Sequence, residues 1–217
     1  MEKFDLILFD LDGTLTDSGP GIMNAVRYAC RRLALPEPDD STLRRFIGPP
    51  LHDSFERFCS LSPDAAMHAV SVFREYYTDT GIFENSVYPG IPEALGRLRA
   101  AGRHLAVATS KPETAAERVL RRFELLDYFT WLTGAAEDSS LVLKKDVVAR
   151  VLEQARAAGL RGGIMVGDRE HDVIGARENG LSCIGVTYGY GPREELEGAG
   201  AVLTVDTPAE LANALLG

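Results

Sequence analysis

Four carboxylates stand where apolar runs of the chain end. Asp10 and Asp12, one residue apart, follow Leu6-Ile7-Leu8-Phe9. Asp168 follows Ile164-Met165-Val166-Gly167, and Asp172 comes four residues later. Two further polar groups hold equivalent places. Thr109-Ser110 ends the run Leu105-Ala106-Val107-Ala108, and Lys144-Lys145 precedes a helical stretch. If the runs are neighbouring strands, Asp10, Asp12 and Asp168 converge. Two like charges about 4 Å apart at an effective dielectric of roughly 20 repel by about 4 kcal/mol. Such a cluster needs a counter-cation. A hard divalent ion with oxygen ligands fits, and magnesium binds phosphates through a few carboxylates while keeping waters. No His or Cys cluster occupies these positions, which disfavours zinc.

A carboxylate beside magnesium can attack phosphorus and form an acyl phosphate. The leaving oxygen then needs a proton. A second carboxyl two residues on, Asp12, is placed to give it and later to deprotonate water. Thr109 and the amides after it would face a phosphate from a helix N-terminus, and a lysine would add a point charge. Taken singly, each piece has a plain structural reading: a capping Asp, a helix cap, a strand-to-helix turn, a solvated helix start. Their joint occurrence, in order and each at a strand end, carries the functional one.

The elements that must position these groups alternate. The apolar runs 4–9, 105–108, 164–166, 183–186 and 201–205 read as strands, the first buried on both faces. Between them lie helical patterns marked by Ala94, Leu95 and Leu98, by Ala115, Val119 and Leu120, by Val147, Val148, Val151 and Leu152, and by Ile174 and Ala176. Thr207-Pro208 opens a last helix as N-cap and first position. Alternation predicts a parallel α/β sheet, whose ligands bind at the carboxyl ends of the strands near a topological switch. From Gly19 to Glu84 the pattern is helical only. Ile22, Val26, Ala29 and Leu33 form one stripe. Ser62-Pro63 starts another helix with Ala66, Val70, Phe73 and Tyr77. This stretch is too long for a simple crossover and reads as an inserted helical module. Residues 17–20 and 83–87 are the expected hinges.

Composition narrows the partners. The chain has 217 residues, 45% hydrophobic, with a net charge of −9. That charge disfavours a nucleic-acid polymer and an anionic membrane surface. Cys30, Cys59 and Cys183 are odd in number and lack a CxxC spacing, so reduced thiols are expected rather than a disulfide framework or zinc site. The apolar run near the start is too short for a signal peptide or a membrane span. A soluble cytoplasmic protein, monomer or homodimer, is the expectation.

The motifs resemble those of the haloacid dehalogenase-like hydrolase superfamily over essentially the whole chain. Asp10-Leu11-Asp12-Gly13-Thr14-Leu15 resembles its first motif, Val107-Ala108-Thr109-Ser110 its second, Lys145 (or the adjacent Lys144) its third, and Val166-Gly167-Asp168-Arg169-Glu170-His171-Asp172 its fourth. The resemblance implies a Rossmann-like parallel-sheet core, residues 1–17 and 86–217, with a small α-helical cap, residues 18–85. It implies Mg2+ held by Asp10, Asp12 through its backbone carbonyl, and Asp168, with Asp172 supporting the metal or its waters. Asp10 would be the nucleophile and Asp12 the acid/base. Thr109, Ser110 and Lys145 would hold the phosphoryl group of a small phosphorylated metabolite.

Within the superfamily, Tyr88-Pro89-Gly90-Ile91 and Gly48-Pro49-Pro50-Leu51 are similar to the phosphoglycolate phosphatase-like branch. The fourth motif, with Gly185-Val186-Thr187-Tyr188-Gly189-Tyr190-Gly191, resembles a subgroup of 5′-nucleotidases, which also shares Lys145-Asp146 in place of Lys-Pro. Asp12 ranks dehalogenases down, Ile22 ranks sugar-phosphate mutases down, and the lack of lysine between Lys3 and Lys111 ranks phosphonatases down. The alternative is a regulatory or binding protein that kept the fold and lost turnover. Arg45 and His52, flanking the Gly48-Pro49-Pro50 loop, are the favoured cap residues for reading a substrate.

Overall fold

The structure is a computed structural model that describes residues 4–136 and 143–217; Lys3 lies outside the described residues. In chain order its elements are β1 (Leu6–Phe9), β2 (Thr16–Asp17), α1 (Gly19–Arg32), α2 (Asp40–Arg44), α3 (Leu51–Cys59), α4 (Pro63–Tyr77) and β3 (Ser86–Val87). Then come α5 (Ile91–Ala100), β4 (His104–Pro112), α6 (Glu113–Arg122), β5 (Trp131–Ala135), α7 (Lys144–Ala157) and β6 (Ile164–Gly167). The chain ends with α8 (Glu170–Glu178), β7 (Ser182–Val186), α9 (Arg193–Ala199), β8 (Leu203–Val205) and α10 (Pro208–Leu216).

The strands β5-β4-β1-β6-β7-β8 form one parallel sheet in that order. The chain leaves β1 for β4 and β5 on one side and later fills β6, β7 and β8 on the other. The strand order therefore reverses at β1, which puts the crevice of the sheet at the residue after Phe9. β1 is buried along its whole length, as a strand covered on both faces must be. On one face Leu6, Leu8, Ala106, Ala108 and Met165 pack against Val147, Val148, Val151 and Leu152 of α7 and Val173 and Ala176 of α8. Each fully buried Val or Leu contributes about 1.5–3 kcal/mol relative to exposure. That apolar face holds α7 against the sheet and fixes where its first residue lies.

Two compact units account for the chain: Met1–Thr16 with Val87–Gly217, and Asp17–Ser86. In the helical unit, α1 buries Ile22, Val26 and Ala29, and α4 buries Ala66, Val70 and Phe73. The Ser62 hydroxyl accepts from the Ala65 amide to cap α4. The Thr207 hydroxyl does the same for α10 through the Glu210 amide. Cys30, Cys59 and Cys183 are free thiols. No helix of the described residues is long and apolar enough to cross a membrane.

The structure also holds elements that the pattern of residues did not announce. β5 is one: Trp131-Leu132-Thr133-Gly134-Ala135 is short and neither alternating nor uniformly apolar. α9 is another, with Leu196 its one buried side chain. β4 runs on past Ala108 to Pro112, with a register shift against β5 between Ala108 and Pro112. Thr109-Ser110 thus lies within an irregular strand end rather than at the start of α6. The helix begins at Glu113, after Pro112, and the expectation of a phosphate seat at that N-terminus is corrected accordingly.

Candidate active site

The site is built on the end of β1. The Asp10 amide donates to the Val166 carbonyl at 2.9 Å, the last step of the β1–β6 pairing. Beyond it the chain coils tightly. The amides of Leu15 and Thr16 both donate to the Leu11 carbonyl, and that of Gly13 to the Thr16 carbonyl. Gly13 sits at φ +86°, and a Cβ there would fall 2.1 Å from Asp168 Oδ2. Only glycine allows both the left-handed backbone and this approach. Next to it the Thr14 hydroxyl donates to Asp168 Oδ1 at 3.2 Å. From the loop after β7, the Tyr190 amide donates to Asp168 Oδ2 at 2.9 Å. Asp168, fully buried, is therefore gripped from two separate loops.

Asp172 shapes the same corner. Its Oδ2 accepts from the amides of Asp168 and Arg169, both at 3.1 Å, so it ties the end of β6 to the first turn of α8. Its Oδ1 lies 2.9 Å from Lys144 Nζ, and Asp10 Oδ1 lies 2.8 Å from the same ammonium. Lys144 also donates to the Ala108 carbonyl at 3.1 Å. The lysine brought into the cluster is thus Lys144, which is buried, whereas the side chain of Lys145 is exposed. The expectation that favoured Lys145 is corrected by helix phase. Lys144 shares the buried face of α7 with Val147, Val148 and Val151, at spacings of three, four and seven. The carbonyl of Lys145 accepts from the Asn179 amide group instead.

One carboxylate oxygen each from Asp10, Asp168 and Asp172 lies within 4.8 Å of the others, and all three residues are buried. Burial pushes the Asp10 carboxyl up to about 6, with Asp172 adding to the rise and Lys144 opposing it. Burial, Asp172 and Asp10 raise Asp168 well above the ordinary carboxylate range, against the pull of the Tyr190 amide and Arg169. Burial draws Lys144 down, but Asp10 and Asp172 outweigh it and its net shift is upward. Asp10 Oδ1 and Asp172 Oδ1 receive no well-formed hydrogen bond, though both are at ion-pair distance from Lys144. Of the three buried carboxylates, Asp10 and Asp172 thus share one ammonium and Asp168 is held by neutral donors, with oxygen valence to spare. An all-oxygen, electronegative donor set of this kind suits a hard divalent cation such as Mg2+.

The remaining expected residues lie around this cluster. Asp12 turns its side chain to Lys111, whose Nζ stands 3.0 and 3.2 Å from the two carboxylate oxygens. Thr109 is buried on β4, and its hydroxyl accepts from the Lys111 amide at 3.2 Å. Ser110 is half-buried on the same strand end.

Residues 7–186 match the family described as Haloacid dehalogenase-like hydrolase. The chain belongs to that family. It is 41% identical over 194 residues to a 5′-nucleotidase of Pseudomonas aeruginosa, covering 89% of this chain and 87% of the relative. It is 30% identical over 224 residues to a phosphoglycolate phosphatase of Vibrio vulnificus, covering 99% and 97%. The tyrosine-protein kinase PtkA of Mycobacterium tuberculosis is 42% identical over 190 residues, 88% of this chain but 64% of that protein. Among solved structures, a predicted phosphatase from Clostridium acetobutylicum superposes with a TM-score of 0.93 at 41% identity, covering 99% of both chains. This haloacid dehalogenase-like hydrolase is a phosphatase.

Three members of the cluster went unread as site residues in the sequence: Lys111, Thr14 and Tyr190. Alternation along β4 carries the signal for Lys111, because Thr109 and Lys111 are buried while Ser110 between them is not. Tyr190 acts through its amide, for which no side-chain pattern exists. The residues expected to read a substrate in the helical unit have partners within that unit. The Arg45 guanidinium lies over the Phe58 ring at 4.4 Å. His52 contacts Asp53 at 3.3 Å and Glu56 at 2.9 Å.

Proposed function

We propose that the chain is a magnesium-dependent phosphatase that moves the phosphoryl group of a small phosphomonoester first to Asp10 and then to water. The observation that carries this reading is the Asp10 carboxylate: buried at the switch point of the sheet, 2.8 Å from Lys144 and within ligand distance of Asp168. Asp10 and Asp168, with the Asp12 carbonyl, would hold the cation, and Asp172 would keep Asp168 in register. A divalent cation held by these residues would supply Lewis-acid chemistry, offsetting the negative charge of the phosphoryl oxygens.

Asp10 Oδ attacks phosphorus while the bond from phosphorus to the leaving oxygen breaks. Asp12 gives that oxygen its proton. Asp12 then takes a proton from water, the water oxygen attacks phosphorus, and the bond from Asp10 to phosphorus breaks to release inorganic phosphate. Lys144, Thr109 and Ser110 bind the transferring oxygens and stabilise the charge that grows on them. Residues 18–85 serve as the cap domain, a role supported by their insertion between β1 and β4 in the chain and by the family resemblance. Intact chemical groups at every motif position weigh against a non-catalytic binding protein.

The substrate is of the 5′-nucleotide or phosphoglycolate kind. The higher identity to the 5′-nucleotidase, 41% against 30%, favours the nucleotide. The protein acts in the cytoplasm, in keeping with three free thiols. The test is phosphate release from p-nitrophenyl phosphate with and without Mg2+, followed by a phosphomonoester panel ranked by kcat/KM. Release that needs Mg2+ and vanishes in Asp10→Asn supports the reading. Full activity in Asp10→Asn contradicts it.

A further inference from the structure

We propose that Lys111 is the positioning residue for Asp12, holding its carboxylate in the orientation from which it exchanges protons with the leaving oxygen and with water. This inference rests on the acid/base reading of Asp12 given above.

Three observations carry it. The Lys111 ammonium contacts both Asp12 oxygens, at 3.0 and 3.2 Å, so it fixes the rotation of the carboxylate as well as its place. The pair is secluded, with the Lys111 side chain 4% exposed and that of Asp12 13%. A polar contact held from water in this way is set by geometry rather than by solvent. The backbone of Lys111 is itself clamped. Its amide donates to the Thr109 hydroxyl, and the backbone of Gly134 on β5 runs so close that a Cβ there would fall 2.6 Å from the Lys111 carbonyl oxygen. Glu113, two residues on, accepts from the Gly134 amide at 3.2 Å and closes the clamp.

The register shift at the end of β4 gives this arrangement a purpose. A regular strand would have carried residues 109–112 on along β5. The irregularity instead leaves the Lys111 side chain against the loop after β1, where Asp12 is. Lys144 serves Asp10 and Asp172, and Lys111 serves Asp12, so each of the two reacting carboxylates has its own ammonium.

A positioning role for the proton-transfer carboxylate makes a demand that a purely structural ion pair does not. Proton donation matters for a poor alkyl leaving group and little for p-nitrophenolate. The experiment compares kcat/KM for AMP and for p-nitrophenyl phosphate in wild type, K111M, K111R and D12N. K111M should lower the AMP to p-nitrophenyl phosphate ratio about tenfold, part of the 100-fold or more that general acid catalysis supplies and that D12N should lose. K111R, which keeps the charge, should return the ratio to within about threefold of wild type. If K111M does not fold, K111Q takes its place against K111R. A uniform loss on both substrates in the Lys111 variants, with the ratio still shifted in D12N, overturns the proposal alone. An unshifted ratio in D12N overturns the acid/base reading of Asp12 itself.

Discussion

The ammonium of Lys144 lies 2.8 Å from Asp10 Oδ1. It reaches there because α7 begins with it, pinned to the sheet by Val147, Val148 and Val151. The same nitrogen stands 2.9 Å from Asp172, so one cation ties the end of β1 to the first turn of α8.

Removing that cation should therefore be costly in two ways. Lys144→Met leaves the buried Asp10 and Asp172 carboxylates without their shared partner, and stripping one member from a buried charge pair costs about 3–5 kcal/mol. Denaturant unfolding of the metal-free protein should register a loss of that order. Turnover should fall by about 100-fold or more, the usual loss when a charge that stabilises the transferring group is removed. Lys145→Met should stay within about threefold of wild type, because its side chain is exposed. Equal losses in the two variants would refute the assignment.

Protonation should stabilise the cation-free protein. The Asp10 carboxyl is raised from 3.8 to about 6 by burial, Asp172 and Asp12 against the opposing pull of Lys144. Between those values the folded state binds the proton more readily than the unfolded chain, so stability falls as pH rises. The contribution is complete below about pH 4 and lost as pH passes 6. A shift of this size corresponds to on the order of 3 kcal/mol, and Asp168, shifted in the same direction, adds to it. Unfolding followed in EDTA from pH 4.5 to 8 should show the decline, and Asp10→Asn should flatten it. Stability that rises through this interval, as ordinary paired carboxylates would give, contradicts the burial argument.

A divalent cation should reverse that penalty. Mg2+ at about 100 times its dissociation constant stabilises the fold by about 2.7 kcal/mol if it binds only the native state. The rise in Tm should be present at pH 7.5, shrink toward pH 5.5 as Asp10 takes up its proton, and vanish in Asp168→Asn. An undiminished rise in that variant would place the ion elsewhere.

Much of this site was readable before any coordinates. Asp10, Asp12, Asp168 and Asp172 each follow an apolar strand, and strand ends are found by hydrophobicity alone. The inserted helical stretch was readable for the same reason, since Ile22, Val26 and Ala29 keep a helical period. Lys144 against Lys145 is a question of helix phase, and Val148 and Leu152 at spacings of three and seven lend Lys145 partial support. The combined match of Lys144 to Val147, Val148 and Val151 separates them only when counted. β5 escaped because Gly134 answers to a close approach of the Lys111 and Glu113 backbone and Thr133 to a hydrogen bond with Gln154, not to apolar packing. Lys111 escaped with it: alternation with Thr109 marks it as buried, but the register shift that accompanies its turn toward Asp12 is encoded by no periodicity.

Gly13 tests the tightness of the cluster. Gly13→Ala forces a side chain onto a φ of +86° and sets its Cβ 2.1 Å from an Asp168 oxygen. The backbone strain alone is worth about 1–3 kcal/mol. The larger effect should be on the cation, with the apparent Mg2+ affinity in turnover or thermal shift falling about 10- to 100-fold as Asp168 is displaced. An alanine variant with unchanged affinity would mean that Asp168 is free to move without consequence.

The central claim is that Asp10 itself carries the phosphoryl group. Rapid acid quench of the enzyme turning over a 32P-labelled phosphomonoester in Mg2+, followed by peptide mapping, tests it most directly. The account predicts a label on Asp10 that hydroxylamine releases, as it does an acyl phosphate, and that is absent from Asp10→Asn. Label on another residue, or label that persists in Asp10→Asn, would contradict it.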